Sequence, residues 1–461
     1  MKIAVCVKQS AEGEINPLDA CAYEAALSVK DAEVILVSMG PKKSEEMLSQ
    51  LSRLGAQRTI LISDIAFAGA DTLATAYVLS LAMEKLSPDL IICGSKTIDG
   101  ETGQVGIELA SMLSIDVFSR VMKLYEENGQ VFFEKREGGK KVLPTPSLIT
   151  VERINTLRLP SIFSKAKEVE VWDADFLDAD KTKCGGIGSP TRVLKSEENL
   201  KDRRNCKFIS PKELLAVLKE KAEESEKPIY NGPKMKGVIA VGEDAKKEAE
   251  YICDGLECIP ITDAETIINI INEKKPTAVL WQSDDKSKEI SATVAAKLSL
   301  GLCADCTALE TDGNNLYFYR PAFSGSVIAK IECKTTPAMA TLRTRTEVEA
   351  HIVVGFGMGV KNNLEGAKRF AERLGAETAA SRALVDSGAV PYEKQVGVTG
   401  KSISPENYIA LGISGAVHHI SGIRTAKKII AINPDKRAPI FNFADFGVVA
   451  SLEEVLEELF N

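Results

Sequence analysis

An internal repeat constrains the fold of this chain more than any other feature of its sequence. Residues 88–95 (PDLIICGS) and 276–283 (PTAVLWQS) share a proline turn followed by a short apolar run. Both copies continue into a helical segment, a polar turn, an aromatic run and a Thr-Pro step before another apolar run. Matching features in one order over about 60 residues indicate two copies of one structural unit. The equivalent dipeptides are Leu113-Ser114 and Leu298-Ser299, Asn128-Gly129 and Asp312-Gly313, and Thr145-Pro146 and Thr336-Pro337.

The surrounding pattern assigns both copies to the α/β class. Short Val, Ile and Leu runs alternate with longer segments of helical periodicity, which is typical of β-α-β units around a parallel sheet. We expect buried strands at 2–7, 33–38, 59–62 and 90–93, and a helix over 71–86. Because Asn-Gly and Asp-Gly favour hairpin turns, each copy is expected to carry an antiparallel extension.

The domain organisation follows from the repeat and from the length of 461 residues, which corresponds to about three domains. A polar region rich in Lys and Glu separates the copies and includes a helix predicted over 211–224. The pattern restarts with a strand at 351–354 in a segment richer in Gly. We therefore place domains at 1–226, 235–346 and 347–461, joined by a linker at 227–234.

Composition excludes several classes of protein. The chain has 57 Lys and Arg against 65 Asp and Glu, a net charge of −8, which argues against a nucleic-acid binder. Its three His all follow residue 350, so a zinc site built on His is not expected, and we predict no metal centre. Ten scattered Cys are typical of a reducing compartment. No apolar run is long enough to cross a membrane and no signal-peptide pattern is present, so we expect a cytoplasmic protein.

The C-terminal segment carries the best candidates for a binding site. Gly355, Gly357 and Gly359 lie between a predicted strand and a helix over 364–374, where glycine lets backbone N–H groups approach a phosphate. Residues 381–382, 395–401 and 412–419 are further loops with Gly, hydroxyl, Arg or His side chains. Each could be an ordinary turn, a surface Arg or a core His. Together they favour an extended nucleotide cofactor.

A second candidate loop, 94–106, follows a buried strand of the first copy and opens a helix. Its hydroxyl, amide and N–H groups suit a phosphate, although a helix capped by Thr102 or Asp99 is the alternative. The second copy has a different sequence there. The Cys-x-x-Cys at Cys303 and Cys306 is a pattern of redox and metal sites, but no second Cys pair or nearby His completes a zinc set. No nucleophile or metal-hydrolase motif accompanies these loops, so cofactor binding is better supported than acid–base catalysis.

These loops resemble electron transfer flavoproteins. Residues 375–386, 395–401, 408–419, 431–433 and 439–447 resemble the α subunit, and 303–343 resemble the end of that subunit's first domain. Residues 1–226 resemble the β subunit through 5–9, Asn16-Pro17, 37–41, 98–106 and 188–191. The order is that of a single-chain fusion, β-like and then α-like. The resemblance implies two adenine-nucleotide-hydrolase-like domains followed by a C-terminal α/β FAD-binding domain.

The resemblance also implies residue roles. Arg382 would lie against the isoalloxazine, Thr399 near N5, and His419 near the N1/C2 carbonyl edge. The full FAD set would be Ser381, Arg382, Val396, Gly397, Val398, Thr399, Ser414, Gly415, Ala416, Val417, His418, His419, Asn433 and Asp445. AMP or a second FAD would be held by Cys6, Asn16, Met39, Asp99, Gly100, Glu101, Thr102, Gly103, Gln104 and Val105. Partner docking would use Leu159 and Ile162.

The implied function is an FAD-mediated electron carrier between a flavoprotein dehydrogenase of the acyl-CoA type and another redox partner, with no substrate chemistry of its own. One alternative is an electron-bifurcating protein that oxidises NADH with a second FAD in the β-like domain, since the loop 98–106 resembles the version in bifurcating members. Another is a nucleotide-binding module without redox function. Met358 and Val398, which stand where the family commonly has Arg and Gln, favour that last alternative.

Overall fold

The structure of the chain is a computed structural model. It describes residues 1–135, 139–152, 156–198, 204–220, 232–323, 325–343, 351–397, 400–401 and 403–460. The chain forms two compact units. The first comprises 1–197, 230–323 and 328–344, and the second comprises 198–229, 324–327 and 345–461. No helix within the described ranges is long and apolar enough to span a bilayer.

In the first unit, the β-like part is built on a mixed sheet. Its nine strands among the described residues are β1 (Lys2–Cys6), β2 (Glu33–Met39), β3 (Arg58–Ile62), β4 (Leu90–Gly94), β5 (Asp116–Glu127), β6 (Gln130–Lys135), β7 (Lys141–Val142), β8 (Ser147–Val151) and β9 (Glu170–Trp172). The strand order is β7-β6-β5-β8-β4-β1-β2-β3-β9. All neighbours from β5 to β9 along this order are parallel, and the β5–β6–β7 extension is antiparallel, as predicted.

Helices cover both faces of this sheet, because its central strands present apolar side chains to both sides. Ile3 and Val5 belong to the core on one face, whereas Ala4 and Cys93 belong to the core on the other. The helices are α1 (Pro17–Leu27), α2 (Ser44–Ser52), α3 (Thr72–Leu86), α4 (Val105–Leu113) and the single turn α5 (Gly185–Gly188). The helix predicted over 71–86 is therefore confirmed as α3, with Asp71 as its N-cap.

The α-like part of the first unit repeats this plan. Its five-stranded sheet has the order β15-β13-β16-β21-β17, a four-stranded sheet has the order β10-β20-β19-β18, and β12 pairs with β14. The strands are β10 (Thr191–Glu198), β12 (Met235–Lys236), β13 (Val238–Val241), β14 (Cys253–Asp254), β15 (Glu257–Ile259), β16 (Ala278–Gln282), β17 (Leu302–Cys306), β18 (Ala308–Thr311), β19 (Leu316–Ala322), β20 (Val327–Cys333) and β21 (Ala338–Leu342). The helices are α7 (Glu243–Ala249), α8 (Ala264–Lys274) and α9 (Asp285–Leu298).

The repeat extends to the backbone conformation. Helices α3 and α8 both end in a left-handed residue, Ser87 and Lys275, each at φ 45°. Helices α4 and α9 end likewise at Ser114 and Ser299. Left-handed residues also mark the irregularities in β5 and β17, at Arg120 and Asp305. The two copies thus share their departures from ideal geometry, as well as their elements.

The second unit contains a parallel sheet of order β11-β26-β25-β24-β22-β23. Its strands are β11 (Lys207–Phe208), β22 (Ile352–Phe356), β23 (Glu377–Ala380), β24 (Asn407–Leu411), β25 (Lys428–Ile432) and β26 (Phe446–Val448). Its helices are α6 (Leu214–Lys219), α10 (Leu364–Arg373), α11 (Arg382–Asp386), α12 (Val417–Ile420) and α13 (Leu452–Phe460). The fold class is therefore confirmed: Rossmann-like parallel sheets in a β-like part, an α-like part and a C-terminal α/β domain.

An arm that precedes the α-like part in the chain belongs to this second unit. Its strand β11 pairs in parallel with β26, and Lys428 Nζ donates hydrogen bonds of 2.8 and 2.7 Å to the carbonyls of Val217 and Glu220 at the end of α6. The helix predicted over 211–224 is observed as a 3₁₀ turn leading into α6, and 221–224 lie outside the described residues. The boundaries 1–226, 227–234, 235–346 and 347–461 divide segments of related sequence rather than compact units, and they stay a prediction.

Candidate functional site

The first candidate site lies at the carboxyl edge of the sheet in the second unit. Strand β22 has β24 on one side and β23 on the other, so the chain reverses its direction of winding between β22 and β24. Ligands of open parallel sheets bind at such a switch point, beyond the carboxyl ends of the strands. The loops that follow β22, β23, β24 and β25 all leave from this edge.

Glycine brings two of these loops into backbone contact. A Cβ on Gly357 would overlap the carbonyl oxygen of Gly412, and a Cβ on Gly359 would lie 3.0 Å from the Cα of Gly412. The N–H of Gly359 donates to the carbonyl of Gly412 at 3.0 Å. Met358, between the two glycines, is 46% exposed. The switch point is therefore lined by backbone, which suits the close approach of a pyrophosphate.

A third loop, 395–401, joins the same edge through glycine. The N–H of Val396 donates to the carbonyl of Ala380 at the end of β23. Gly397 has a φ of 133°, and a Cβ there would lie 2.5 Å from the carbonyl of His418. Gly422 makes the equivalent approach to Gly397 from the other side. The predicted residues Val396, Gly397, His418 and His419 are thus brought together.

His419 is the buried polar group of this site. It is 5% exposed, and its Nε2 lies 2.8 Å from the hydroxyl of Tyr408, which is fully buried in β24. Burial lowers the pKa of His419 to about 4, so its imidazole is neutral at physiological pH. A neutral imidazole presents one N–H donor and one acceptor rather than a charge.

Ser381 and Arg382 lie at the end of β23. The N–H of Ser381 donates to the carbonyl of Phe356 at 2.8 Å, which fixes the start of α11 beside the glycine loop after β22. Arg382 is the first residue of α11, and its side chain is about half exposed. Its Nε lies 3.3 Å from a carboxylate oxygen of Asp386. This arrangement leaves a cation at the rim of the site.

The loop after β24 supplies the remaining predicted contacts. Ser414, Ala416, Val417 and His418 are exposed, whereas Gly415 is buried. Gly415 packs so closely on the backbone of Ile440 that a Cβ there would overlap the backbone N of that residue. Asn433, just after β25, holds this loop by donating from Nδ2 to the carbonyl of Ile413 at 3.0 Å. The structure therefore brings eleven of the fourteen predicted FAD residues to one edge: Ser381, Arg382, Val396, Gly397, Ser414, Gly415, Ala416, Val417, His418, His419 and Asn433.

Three predicted residues are not part of this group. Asp445 precedes β26 and therefore lies at the amino edge of the sheet, where it accepts a 2.7 Å hydrogen bond from the N–H of Ile429 and pairs with Arg204 of the arm. The structure thus gives Asp445 a role in anchoring the arm. Val398 and Thr399 lie outside the described residues.

The second candidate site is a cavity of about 730 Å³ in the β-like part of the first unit. It lies beyond the carboxyl ends of β1, β2 and β4, and the switch point of this sheet is between β1 and β4. Its volume is in the range of small-molecule and cofactor sites. The predicted residues that line it are Cys6, Met39, Gly100, Thr102, Gly103, Gln104 and Val105.

Three residues predicted for this site support its walls instead. Asn16 is buried and holds the loop, donating to the carbonyl of Lys96 at 3.1 Å and accepting from the N–H of Ile98 at 3.2 Å. Asp99 pairs with Lys8 at 2.6 Å. Glu101 has a left-handed backbone, and burial raises its pKa.

The sequence analysis missed other residues of the cavity wall. Asp19 is buried beside the N–H of Lys8, at 2.8 Å, and burial raises the pKa of its carboxyl to about 7. The segment 63–72 supplies a further wall. Asp71, which caps α3, also accepts from the N–H and hydroxyl of Thr191. In the sequence these two residues have separate signals, a residue type suited to an N-cap at Asp71 and the 188–191 motif at Thr191. Nothing in the sequence links the two, so their pairing could not be predicted.

The thiols at Cys303 and Cys306 are buried in β17, and burial raises the pKa of Cys303 well above its ordinary range. Across the described part of the chain, no group of three His, Cys, Asp or Glu residues is arranged to hold a metal ion. By contrast, Leu159, Ile162 and Phe163 are 89%, 86% and 86% exposed, although each is a large apolar side chain. Exposed apolar side chains that cluster in one segment are typical of an interaction surface.

Comparison with known proteins finds relatives for both halves of the chain. The family model of the electron transfer flavoprotein domain matches residues 3–177 and 255–380, and that of the electron transfer flavoprotein FAD-binding domain matches 347–424. Protein FixB of Clostridium saccharobutylicum is 37% identical over 246 residues, which cover 43% of this chain and 74% of that protein. Electron transfer flavoprotein subunit beta of Thermoanaerobacterium thermosaccharolyticum is 38% identical over 201 residues, 41% of this chain and 77% of that subunit. Acryloyl-CoA reductase electron transfer subunit beta of Anaerotignum propionicum is 30% identical over 311 residues, 49% of this chain and 85% of that subunit.

Proposed function

The chain belongs to the electron transfer flavoprotein family, with β-subunit-like and α-subunit-like parts in one polypeptide, and on that premise we propose that it carries electrons through FAD between a flavoprotein dehydrogenase and another redox partner. The observation that supports this most directly is the backbone-lined switch point formed by Gly357, Gly359 and Gly412. FAD supplies one- and two-electron redox chemistry when bound, and the protein supplies its position and its electrostatic surroundings.

The residues at the switch point fit this role. The glycine loops would take the pyrophosphate, and the exposed loop 414–418 together with Asn433 would lie along the rest of the dinucleotide. Arg382 is a fixed positive charge at the rim, which favours the negative charge that a flavin gains on reduction. His419, kept neutral by burial, would donate or accept a hydrogen bond without adding charge. Thr399 near N5 and Val398 beside it stay proposals from the family resemblance.

The role of Arg382 is tested by replacing it with Ala. The loss of a positive charge near the flavin should move its midpoint potential downward. An interaction of about 1 kcal/mol corresponds to about 20 mV for a two-electron couple. Spectroelectrochemical titration of the FAD-loaded protein measures this shift. Arg373→Ala is the matched control, because Arg373 lies over the ring of Phe460 at the end of α10, and it should leave the potential unchanged. An unchanged potential in Arg382→Ala would count against the role.

We further propose that the cavity in the β-like part holds an adenine nucleotide, either AMP or a second FAD. Helices α3 and α4 both begin at this cavity, and helix N-termini attract phosphate. Extraction of the purified protein discriminates between the two. One FAD and one AMP per chain supports the simple carrier, whereas two FAD per chain supports an electron-bifurcating protein. A protein that stays colourless after incubation with FAD would instead support the module without redox function.

The second candidate function is electron bifurcation with oxidation of NADH. It is favoured by the cavity volume of about 730 Å³, which leaves room for a ligand larger than AMP, and by the loop 98–106. Anaerobic mixing of the purified protein with NADH tests it. Bleaching of the flavin absorbance within the mixing experiment is expected for a bifurcating protein, and persistent yellow colour is expected for the simple carrier.

For the redox partner we propose an acyl-CoA-dehydrogenase-like flavoprotein that docks on Leu159 and Ile162. The exposure of both side chains supports this, and one relative carries the name of an electron transfer subunit of acryloyl-CoA reductase. Ile162→Ala should slow reduction of the FAD-loaded protein by an acyl-CoA dehydrogenase. Ile187→Ala removes an equally exposed isoleucine elsewhere in the same unit and should not slow it. Equal rates for the two variants would contradict docking at this segment.

A further inference from the structure

Two helix N-termini meet at the cavity of the first unit. Helix α3 begins at Thr72 and α4 begins after Gln104, and both of these residues line the cavity. The hydroxyl of Thr72 lies 3.2 Å from the side-chain oxygen of Gln104. The partial positive charges of two helix ends are therefore directed to one place, which favours a bound anion.

A buried acid lies behind this pair. Glu108, in the first turn of α4, is 1% exposed, and its Oε1 lies 3.1 Å from the hydroxyl of Thr72. Its Oε2 has no hydrogen-bond partner among the described residues. An ionised carboxylate in such surroundings would leave a buried charge without compensation, which is costly.

The contacts of Glu108 supply little compensation for a charge. Gln104 donates from Nε2 to the carbonyl of Leu302 at 3.4 Å, so its side-chain oxygen faces Thr72 as an acceptor. Thr72 has a single hydroxyl proton, for which Gln104 and Glu108 compete. A charged Glu108 would thus accept at most one side-chain hydrogen bond from the described residues, whereas a neutral Glu108 can donate its own proton to Thr72. Burial, with the nearby charge of Asp71, raises the pKa of Glu108 to about 8, and the hydrogen bond from Thr72 offsets only part of this shift.

The other groups around Glu108 do not compensate a charge there. Strands β5 and β8 also pack on α4, but β8 carries no charged residue, and Arg120 of β5 is already paired with Glu152 and Asp285. From α3, Asp71 contributes a second carboxylate, already engaged by the N–H of Ala74 and by Thr191. Helix α9 packs on α4 and buries only Ser, Ala and Val side chains. If Glu108 lost its proton, two negative charges would oppose an anion at the same pair of helix ends.

We propose that Glu108 is a proton-holding positioning residue of the nucleotide cavity. As a neutral acid it leaves the paired N-termini of α3 and α4 available to the phosphate of an adenine nucleotide, and its ionisation releases that nucleotide. This inference rests on the proposed nucleotide site. The ligand chemistry is a phosphate or pyrophosphate anion, supplied by AMP or by FAD.

The test is nucleotide affinity as a function of pH, measured by isothermal titration calorimetry on the full chain stripped of nucleotide. AMP should bind about tenfold more weakly at pH 9 than at pH 7, because only the neutral form of Glu108 admits it. The phosphate of AMP is doubly ionised across this range, since its second pKa is near 6. Repeating the titration with FAD in place of AMP identifies which nucleotide the site takes.

Glu108→Gln provides the matched variant, because a neutral amide keeps the shape and can donate to Thr72. It should retain affinity at pH 7 and lose the weakening attributed to Glu108. Asp19 also lines the cavity with a pKa near 7, and it titrates equally in both proteins, so the difference between them reports Glu108. Wild-type protein and variant weakening in parallel would overturn the inference.

Proton uptake gives a second readout that needs no variant. At pH 9, calorimetry in two buffers of different ionisation enthalpy should show uptake of about 0.9 proton per nucleotide bound. Binding at pH 9 without uptake would overturn the inference, even if Glu108→Gln failed to fold. Failure of both AMP and FAD to bind the wild-type protein at pH 7 would instead refute the proposed nucleotide site.

Discussion

Tyr408 and His419 form a buried pair beneath the glycine loops of the second unit. The hydroxyl of Tyr408 occupies the space that a side chain at Gly355 would need, since a Cβ there would overlap it. The same hydroxyl lies 2.8 Å from Nε2 of His419, and burial keeps both groups uncharged. The absence of a side chain at Gly355 thus leaves room for the tyrosine hydroxyl that contacts His419 in α12.

This burial predicts a specific pH dependence of stability. The pKa of His419 is about 4 in the folded protein against about 6.5 in the unfolded chain, so the unfolded chain binds a proton first as the pH falls. The contribution of His419 is fully present above pH 6.5 and is lost as the pH falls toward 4. Between pH 7 and pH 5 the loss is about 2 kcal/mol in the free energy of unfolding.

Urea denaturation at the two pH values measures this loss. Wild-type protein should lose about 2 kcal/mol more than His419→Gln. His351→Gln is the control, because His351 is largely exposed, and it should behave as wild type. Equal losses in wild type and His419→Gln would show that His419 protonates as easily in the folded protein as in the unfolded one.

At the scale of elements, the backbone contact between the loops after β22 and β24 leaves no room for an added methyl group. Gly357→Ala would place a methyl group on the carbonyl of Gly412, and both residues directly follow a strand, β22 and β24 respectively. We expect this variant to retain less FAD per purified chain and to unfold at a lower temperature. Gly139→Ala is the control, since a Cβ there meets nothing within 4 Å. Normal FAD content in Gly357→Ala would contradict the assignment of this contact to the cofactor.

A buried cation is one of the groups that hold the arm. Lys428 is 6% exposed, and its ammonium satisfies two carbonyls at the C-terminal end of α6, where helices leave such groups without intrahelical partners. Lys428→Met should destabilise the docked arm by about 2 kcal/mol, since hydrogen bonds to charged groups contribute 1.5–3 kcal/mol. The rate of tryptic cleavage after Lys212 and Lys219 reports the docking. Lys427→Met removes the exposed neighbouring lysine, and faster cleavage in that variant as well would contradict the role.

At the scale of the whole molecule, the two copies of the repeat carry opposite charges at equivalent positions. In the first copy Arg120 pairs with Glu152 at 2.8 Å, and in the second Asp305 faces Arg343 at 3.9 Å. Arg120 also pairs with Asp285 of the second copy, and Ser119 donates to Glu289 at 2.6 Å. Arg120 thus pairs both within its own copy and with the second copy, and the contacts of Arg120 and Ser119 favour the pairing of the two copies.

A double-mutant cycle tests this complementarity. Arg120→Ala and Asp285→Ala should each lower the free energy of unfolding, and the double variant should lose less than the sum. Because both side chains are partly exposed, the coupling should be about 0.5 kcal/mol. Lys123→Ala with Glu134→Ala, an exposed pair within the first copy, gives the comparison for an ion pair that does not join the copies. Zero coupling between Arg120 and Asp285 would contradict a role in pairing.

Sequence reasoning recovered the elements and the edges of the sheets, because both follow from local periodicity and from the rule that ligands bind at carboxyl edges. It predicts a binding role for the loops 94–106 and 412–419 for the same reason, and that role stays a prediction. It grouped Asp445 with the FAD loops, whereas the structure places Asp445 at the opposite, amino edge of the sheet, just before β26. It also missed Asp19, because the contact of that side chain with the end of β1 depends on how α1 packs. Such contacts between elements have no signature in a single stretch of sequence.

The pairing of the arm has a consequence for the order in which the protein is made. Arg204 and its partner Asp445 are 241 residues apart in the chain. At a synthesis rate of 5–20 residues per second, β11 leaves the ribosome roughly 12–50 s before the strand it pairs with exists. During that interval its backbone is an unpaired sheet edge, and its length of only two residues limits the false partners it can recruit. The arm can therefore dock only after a further 241 residues, more than half of the chain, have been made.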